Sequence, residues 1–335
     1  MKHVYFILSF LLFFSACNNN STNCNKSENN TIVNDSVNSE SLFARTADSI
    51  IIENRPLVKL MDSLYLYHCR DSFEVNSFET DLEWMNNFRS QLCQYFDKTH
   101  HCIDSISSYA KADSIIEEAN ILWNKYISDE ASTMEMYEHN NALFSRLKFQ
   151  QYNQLSHLLG FCKTQVQKQT LMQEFKAWLK LEHLFYQINS NCVDLYFWHG
   201  SIRKVIRTAN YNKIINSHIS LYKTEINLIK DASWKGVNHA YTSDLLIDCC
   251  YSALGKITDL ESDDLKEMST DSLYQQTIIE TKKLMTQLPK VVNKWVNLRQ
   301  QWTNEINDFR QNQREYSTGA VLEQLSHIIC SIDEY

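Results

Sequence analysis

Residues 171–200 read LMQEFKAWLKLEHLFYQINSNCVDLYFWHG, and this stretch decides the fold. Leu171, Phe175, Trp178, Leu181, Phe185, Ile188, Cys192 and Leu195 recur at gaps of three and four, which puts them on one face of an α-helix. Lys176, Lys180, Glu182 and Gln187 fall largely off that face. The stretch therefore reads as one amphipathic helix, roughly 45 Å long at the usual rise per residue, interrupted at Gly200. Leu288, Val292, Trp295, Leu298, Trp302 and Phe309, followed by Gly319, repeat the plan. Each tryptophan, Trp178 and Trp295, has a leucine seven residues before, an apolar residue three before, a leucine three after and an aromatic seven after. This is a divergent internal repeat.

The rest of the chain agrees with a helical reading. Hydrophobic residues make up 44% of the 335, so a sizeable core is available, yet there are only 5 Gly and 2 Pro. Tight β-turns and Gly-rich phosphate loops need those residues, so an all-α fold is expected and Rossmann and P-loop enzymes are excluded. Net charge is −8, and loss of a leader whose one charge is Lys2 takes it to −9. Without a concentrated basic run, nucleic acid is not an expected partner.

Lys2, an apolar run from Val4 to Phe14 and the small residues Ser15-Ala16 before Cys17 have the three-part plan of a secretory signal, too short to span a bilayer. Phe14-Ser15-Ala16-Cys17 resembles the lipobox of bacterial lipoprotein signal peptides. That resemblance implies removal of residues 1–16 and diacylation of Cys17, hence a membrane anchor on the cell envelope facing the periplasm or the exterior. Residues 17–40, rich in Asn and Ser, cannot bury enough apolar surface to offset chain entropy and read as a tether.

Beyond the tether, helices are expected from Ser41 to Glu53, from Pro56, from a capping box at Asn76 and Glu79, and onward to Gly160 with a break near Ser128 to Ser132. Gly255 reads as a helix C-cap, and two later helices meet at Pro289. Short polar connections predict antiparallel packing. The expected architecture is an antiparallel helical bundle, arranged as two related bundles in tandem over residues 41–232 and 240–335.

Trp295-Val296-Asn297-Leu298-Arg299, with the aromatics that follow and Gly319-Ala320, resembles the LprI-like lysozyme-inhibitor domain family. Phe175 to Glu182 with Gly200-Ser201 resembles a second copy. In this chain the family's arginine survives only as Arg299, its counterpart being Glu182, and the acidic residue usual after it is Gln300. The resemblance implies an all-α envelope protein that binds a protein or a cell-wall component, lysozyme inhibition being one form of that activity.

Candidate sites are few. Tyr196-Phe197-Trp198-His199 places four bulky residues on all sides of a helix, so they cannot all face one core. As an exposed patch they are the preferred partner-binding candidate, and Arg299, the arginine the resemblance points to, is a second candidate beside them. Glu182-His183 point about 100° apart and read as isolated surface residues rather than an acid–base pair. His68-Cys69 and His100-His101-Cys102 carry metal-ligand types but lack zinc-site spacing, so they read as loop residues. Of the cysteines after Cys17, namely Cys24, Cys69, Cys93, Cys102, Cys162, Cys192, Cys249, Cys250 and Cys330, an odd number leaves at least one unbridged or paired between chains. Cys192 fits a buried thiol or a bridge equally well. No catalytic motif, cofactor site or metal site is read. The expected function is non-enzymatic binding on the envelope, with a structural or assembly lipoprotein as the alternative.

Overall fold

The computed structural model of the chain describes residues 55–68, 75–96, 105–124, 132–198, 200–231, 241–258, 271–305 and 311–334. Every regular element among them is helical. In chain order they are α1 (Arg55–His68), α2 (Phe78–Phe96, entered by a 3₁₀ turn at Val75–Ser77), α3 (Ser105–Asn124), α4 (Thr133–Phe161) and α5 (Gln165–Tyr196). There follow α6 (Arg203–Lys230), α7 (Ser243–Thr258), α8 (Ser272–Met285), α9 (Leu288–Glu305) and α10 (Gln311–Cys330), closed by a 3₁₀ turn at Ser331–Glu334. The leader, Cys17, the tether and the expected helix at Ser41 to Glu53 lie outside the described residues.

The helix that dominates the sequence also organises the fold. On α5, Leu171, Phe175, Trp178, Leu181, Phe185, Ile188 and Cys192 have no solvent exposure. Gly200 serves the corner after it. Its N–H donates to the Phe197 carbonyl at 2.8 Å, and a Cβ there would stand 3.1 Å from that same oxygen. Two capping boxes bracket the α4–α5 hairpin. Ser132 Oγ accepts from the Glu135 N–H while Glu135 accepts from the Ser132 N–H, and Thr164 and Gln167 do the same at α5.

Three expected boundaries move. At Asn76 the chain makes a 3₁₀ turn, Ser77 Oγ donates to Asp81 at 2.7 Å, and Glu79 pairs with Lys176 of α5 instead of closing a capping box. Gly255 lies inside α7, where no atom crowds it, so it ends nothing. The α8–α9 break falls at Thr286-Gln287, and Pro289 sits in the first turn of α9, where its missing N–H has no partner to lose.

α4 lies along α6, α5 along α9, and α10 along α7 and α6. The two repeat helices are neighbours: the Trp178 and Trp295 rings lie 5.0 Å apart, tilted by 57°. One contiguous apolar cluster runs from Met61 in α1 to Ile332, through both halves of the expected tandem.

One core histidine gives a pH-dependent stability. His157 of α4 is stacked between Tyr109 at 4.8 Å and Phe161 at 5.2 Å. Burial, then the charges of Lys230 and Arg89, push its pKa down to about 4. The unfolded chain takes up that proton near the ordinary value of about 6.5, so the stability His157 contributes is present above that pH and is lost as pH falls towards 4. Asp62 and Asp113, raised by burial to about 6, work in the opposite sense over an overlapping range. His157→Phe, which keeps the stack and removes the titration, is therefore expected to lose less stability than wild type between pH 7 and pH 4.5 in paired urea titrations. Equal losses in the two proteins would exclude the assignment.

Candidate functional site

The densest cluster of chemically capable side chains is inside the bundle, where α4, α5, α6 and α9 meet. Helical spacing puts Lys148 and Gln151 on one face of α4, and Glu174, Trp178 and Glu182 at successive turns of α5. His218, Tyr222 and Glu225 face them from α6, and Trp295 and Arg299 from α9. All of these are buried, the six ionisable groups among Lys148, Glu174, Glu182, His218, Glu225 and Arg299 to 1% exposure or less.

The layer has two linked halves. In the first, Lys148 Nζ pairs with Glu182 Oε1 and donates to Gln151 Oε1 at 3.1 Å. Glu182 Oε2 accepts from Trp178 Nε1 and from Gln151 Nε2, both at 2.8 Å. In the second, Glu174 accepts from Trp295 Nε1 at 2.7 Å and from the Tyr222 hydroxyl, and Arg299 Nη2 pairs with Glu225 Oε1. Arg299 Nε stands 3.7 Å from Glu174. Burial pushes the Glu174 carboxyl up, but Arg299, His218 and Tyr222 together hold it below its ordinary value.

His218 joins the halves, its ring stacked on Trp178 at 4.3 Å with 6° between planes. Because Lys148 occupies Gln151 Oε1, the amide Nε2 faces His218 Nδ1 at 3.3 Å. The network therefore assigns Nδ1 as the acceptor and puts the single proton on Nε2, which looks towards Glu174 Oε1 at 3.9 Å. A second proton on Nδ1 would meet another donor. Burial also lowers the His218 pKa against the pull of Glu174, so the imidazole is neutral. Three carboxylates then face two cations. Arg299 Nη1 and Glu225 Oε2 have no hydrogen-bond partner among the described residues, so the layer stabilises less than its ion pairs alone imply.

A groove of about 420 Å³ opens on the outer side of α5. Lys180, His183 and Gln187 line it from the solvent strip of the helix, Gln287 and Val291 from the α8–α9 corner, and Tyr211 from α6. Glu182 is also among its lining residues, so the groove borders the buried layer there. Its lining sets three amides, a lysine, an imidazole and a carboxylate among aliphatic walls, a surface suited to hydrogen-bonding rather than purely apolar ligands.

The sequence-based candidates scatter. Tyr196, Phe197 and Trp198 are half-buried and packed against the core, Trp198 edge-on to Tyr274 at 5.0 Å and Tyr196 edge-on to Phe197 at 4.8 Å. His199 lies outside the described residues. Arg299 is corrected outright: it is 1% exposed and its guanidinium faces Glu225 and Glu174, so it cannot join Tyr196 in a surface patch. Glu182 is corrected likewise, from a surface residue to a buried one, whereas His183 beside it is exposed. Cys192 is a buried thiol without a bridge. The side chains of the His68-Cys69 and His100-His101-Cys102 clusters lie outside the described residues.

Sequence reasoning missed Lys148, Gln151, Glu174, His218 and Glu225. α4 and α6 carry polar residues on every face, so periodicity marks none of those they supply. The available signal was Glu174 and Glu182 four residues either side of Trp178, a spacing that places both carboxylates on the tryptophan's own buried face. The chain matches no protein-family model, and comparison with curated proteins and with solved structures finds no match.

Proposed function

We propose that this chain is a non-enzymatic, lipid-anchored protein of the bacterial cell envelope that binds a protein or cell-wall component. The observation that carries the reading is Phe14-Ser15-Ala16-Cys17 behind a charged start and a short apolar run, followed by a polar tether. The buried layer supports a binding rather than a catalytic role, because its carboxylates and cations are committed to one another beneath the surface. The α5 groove is the proposed contact surface, its amides, Lys180 and His183 matching the hydroxyl and amide groups of glycan or short peptide. Among the described residues no helix is long and apolar enough to cross a membrane.

The LprI-like resemblance makes a muramidase one target of this binding.

Cys17→Ala is expected to abolish incorporation of labelled palmitate and move the protein from the membrane to the soluble fraction. Full membrane retention of the variant would remove the anchor from the proposal. Binding is tested by sedimenting the purified chain with cell-wall sacculi and by following lysozyme-driven lysis in its presence. Lys180→Glu with His183→Glu is expected to weaken sedimentation at least about tenfold, the cost of removing two polar contacts. Unchanged sedimentation of that variant would take the groove out of the account, and lysis unslowed at large molar excess would remove lysozyme inhibition alone.

A further inference from the structure

Thiols gather at the corner where α5, α7 and α10 meet. Cys192 comes from α5, adjacent Cys249 and Cys250 from α7, and Cys330 is the last residue of α10, and all three neighbours lie near enough to Cys250 to disfavour its ionisation. The group is graded in accessibility. Cys192 and Cys250 have no exposure, and burial pushes the first up to about 12 and the second well above its ordinary value, so neither supplies a thiolate. Cys249 is half-buried and Cys330 exposed.

Tyr241 links the Cys249 thiol to the last turns of α10. Its hydroxyl lies 3.3 Å from Cys249 Sγ and also hydrogen-bonds Ser326 of α10. Cys330 stands four residues beyond Ser326, on the same face of that helix and in the neighbourhood of Tyr241. One phenolic oxygen thus contacts the α7 thiol and the turn of α10 that precedes the second thiol, on two helices packed along each other.

We propose that Cys249 and Cys330 form a disulfide-exchange site that takes a low-molecular-weight or protein disulfide as its oxidant and staples α10 to α7. The exposed Cys330 thiolate attacks one sulfur of the oxidant, expelling one thiolate and leaving a mixed disulfide. Cys249, its thiol proton accepted by solvent or by the expelled thiolate, then attacks the Cys330 sulfur and expels the second thiolate. Two cysteine thiols are oxidised, one external disulfide is reduced to two thiols, and the protons released from the cysteines balance those taken up by the leaving groups. The proposal is independent of the groove and of the lipid anchor.

The test is incubation of the purified chain with glutathione disulfide and glutathione, followed by alkylation, trypsin and mass spectrometry. The expected product is the peptide Gly236–Lys256 linked to Glu315–Tyr335, lighter by two hydrogens than their sum, with fragmentation placing the link at Cys249. It persists in Cys250→Ser and disappears in Cys249→Ser. The oxidised chain melts about 4 °C or more above the reduced chain, a difference that dithiothreitol reverses. Cys330 accumulating only as its glutathione adduct, or a link that runs to Cys250, overturns the proposal.

Discussion

Replacing Arg299 with methionine is expected to lower the free energy of unfolding by about 3–5 kcal/mol, the usual cost of removing one member of a buried ion pair. The guanidinium is paired with Glu225 and stands 3.7 Å from Glu174, and water reaches none of the three. Methionine fills much of the volume but leaves the Glu225 carboxylate buried without its cation. Glu174 suffers less, since Trp295 and Tyr222 still donate to it. The double variant Arg299→Met with Glu225→Leu is accordingly expected to recover more than half of the loss, because apolar replacement of a whole buried pair is often near neutral. Urea titrations at pH 7 with a common slope measure both. A single-variant loss under about 1 kcal/mol would mean that solvent reaches Arg299 and that the layer is not closed.

The second large effect falls on Trp178. Its alanine variant removes a fully buried indole from between His218 and Trp295, and about 3–5 kcal/mol is expected to go with it. Trp178→Phe separates packing from hydrogen bonding. A phenyl ring keeps much of the stack on His218 but cannot donate to Glu182, which retains Lys148 and Gln151. Its expected cost is about 1–2 kcal/mol. Thermal and urea unfolding of the pair decide the matter, and a phenylalanine variant as unstable as the alanine one would move the weight from the aromatic stack to the single N–H donor.

The apolar period of α5 was legible in the sequence because burial of one face leaves a pattern of threes and fours. The all-helical class followed from the scarcity of Gly and Pro. The polar layer was not legible, for a physical reason: a buried lysine or glutamate is stable only beside partners from distant segments, and Lys148 and Glu182 are separated by 34 residues. Read alone, Glu182 looks like solvent-facing charge. Arg299, taken from the repeat as a surface contact, is inside because α9 docks on α5 and not within a bundle of its own. Gly255 misled because a glycine near a helix end marks a cap only when the chain turns there, and α7 continues to Thr258.

The central claim is that the buried layer joins α9 to α5 in one cooperative body, and native-state hydrogen exchange tests it most directly. The slowest amides of residues 174–185 and 292–302 are expected to exchange with the same opening free energy, and Arg299→Met is expected to lower both by the same amount. An α9 that opens well below α5, or a variant that loosens α9 and leaves α5 unchanged, would contradict this coupling and favour two separable bundles.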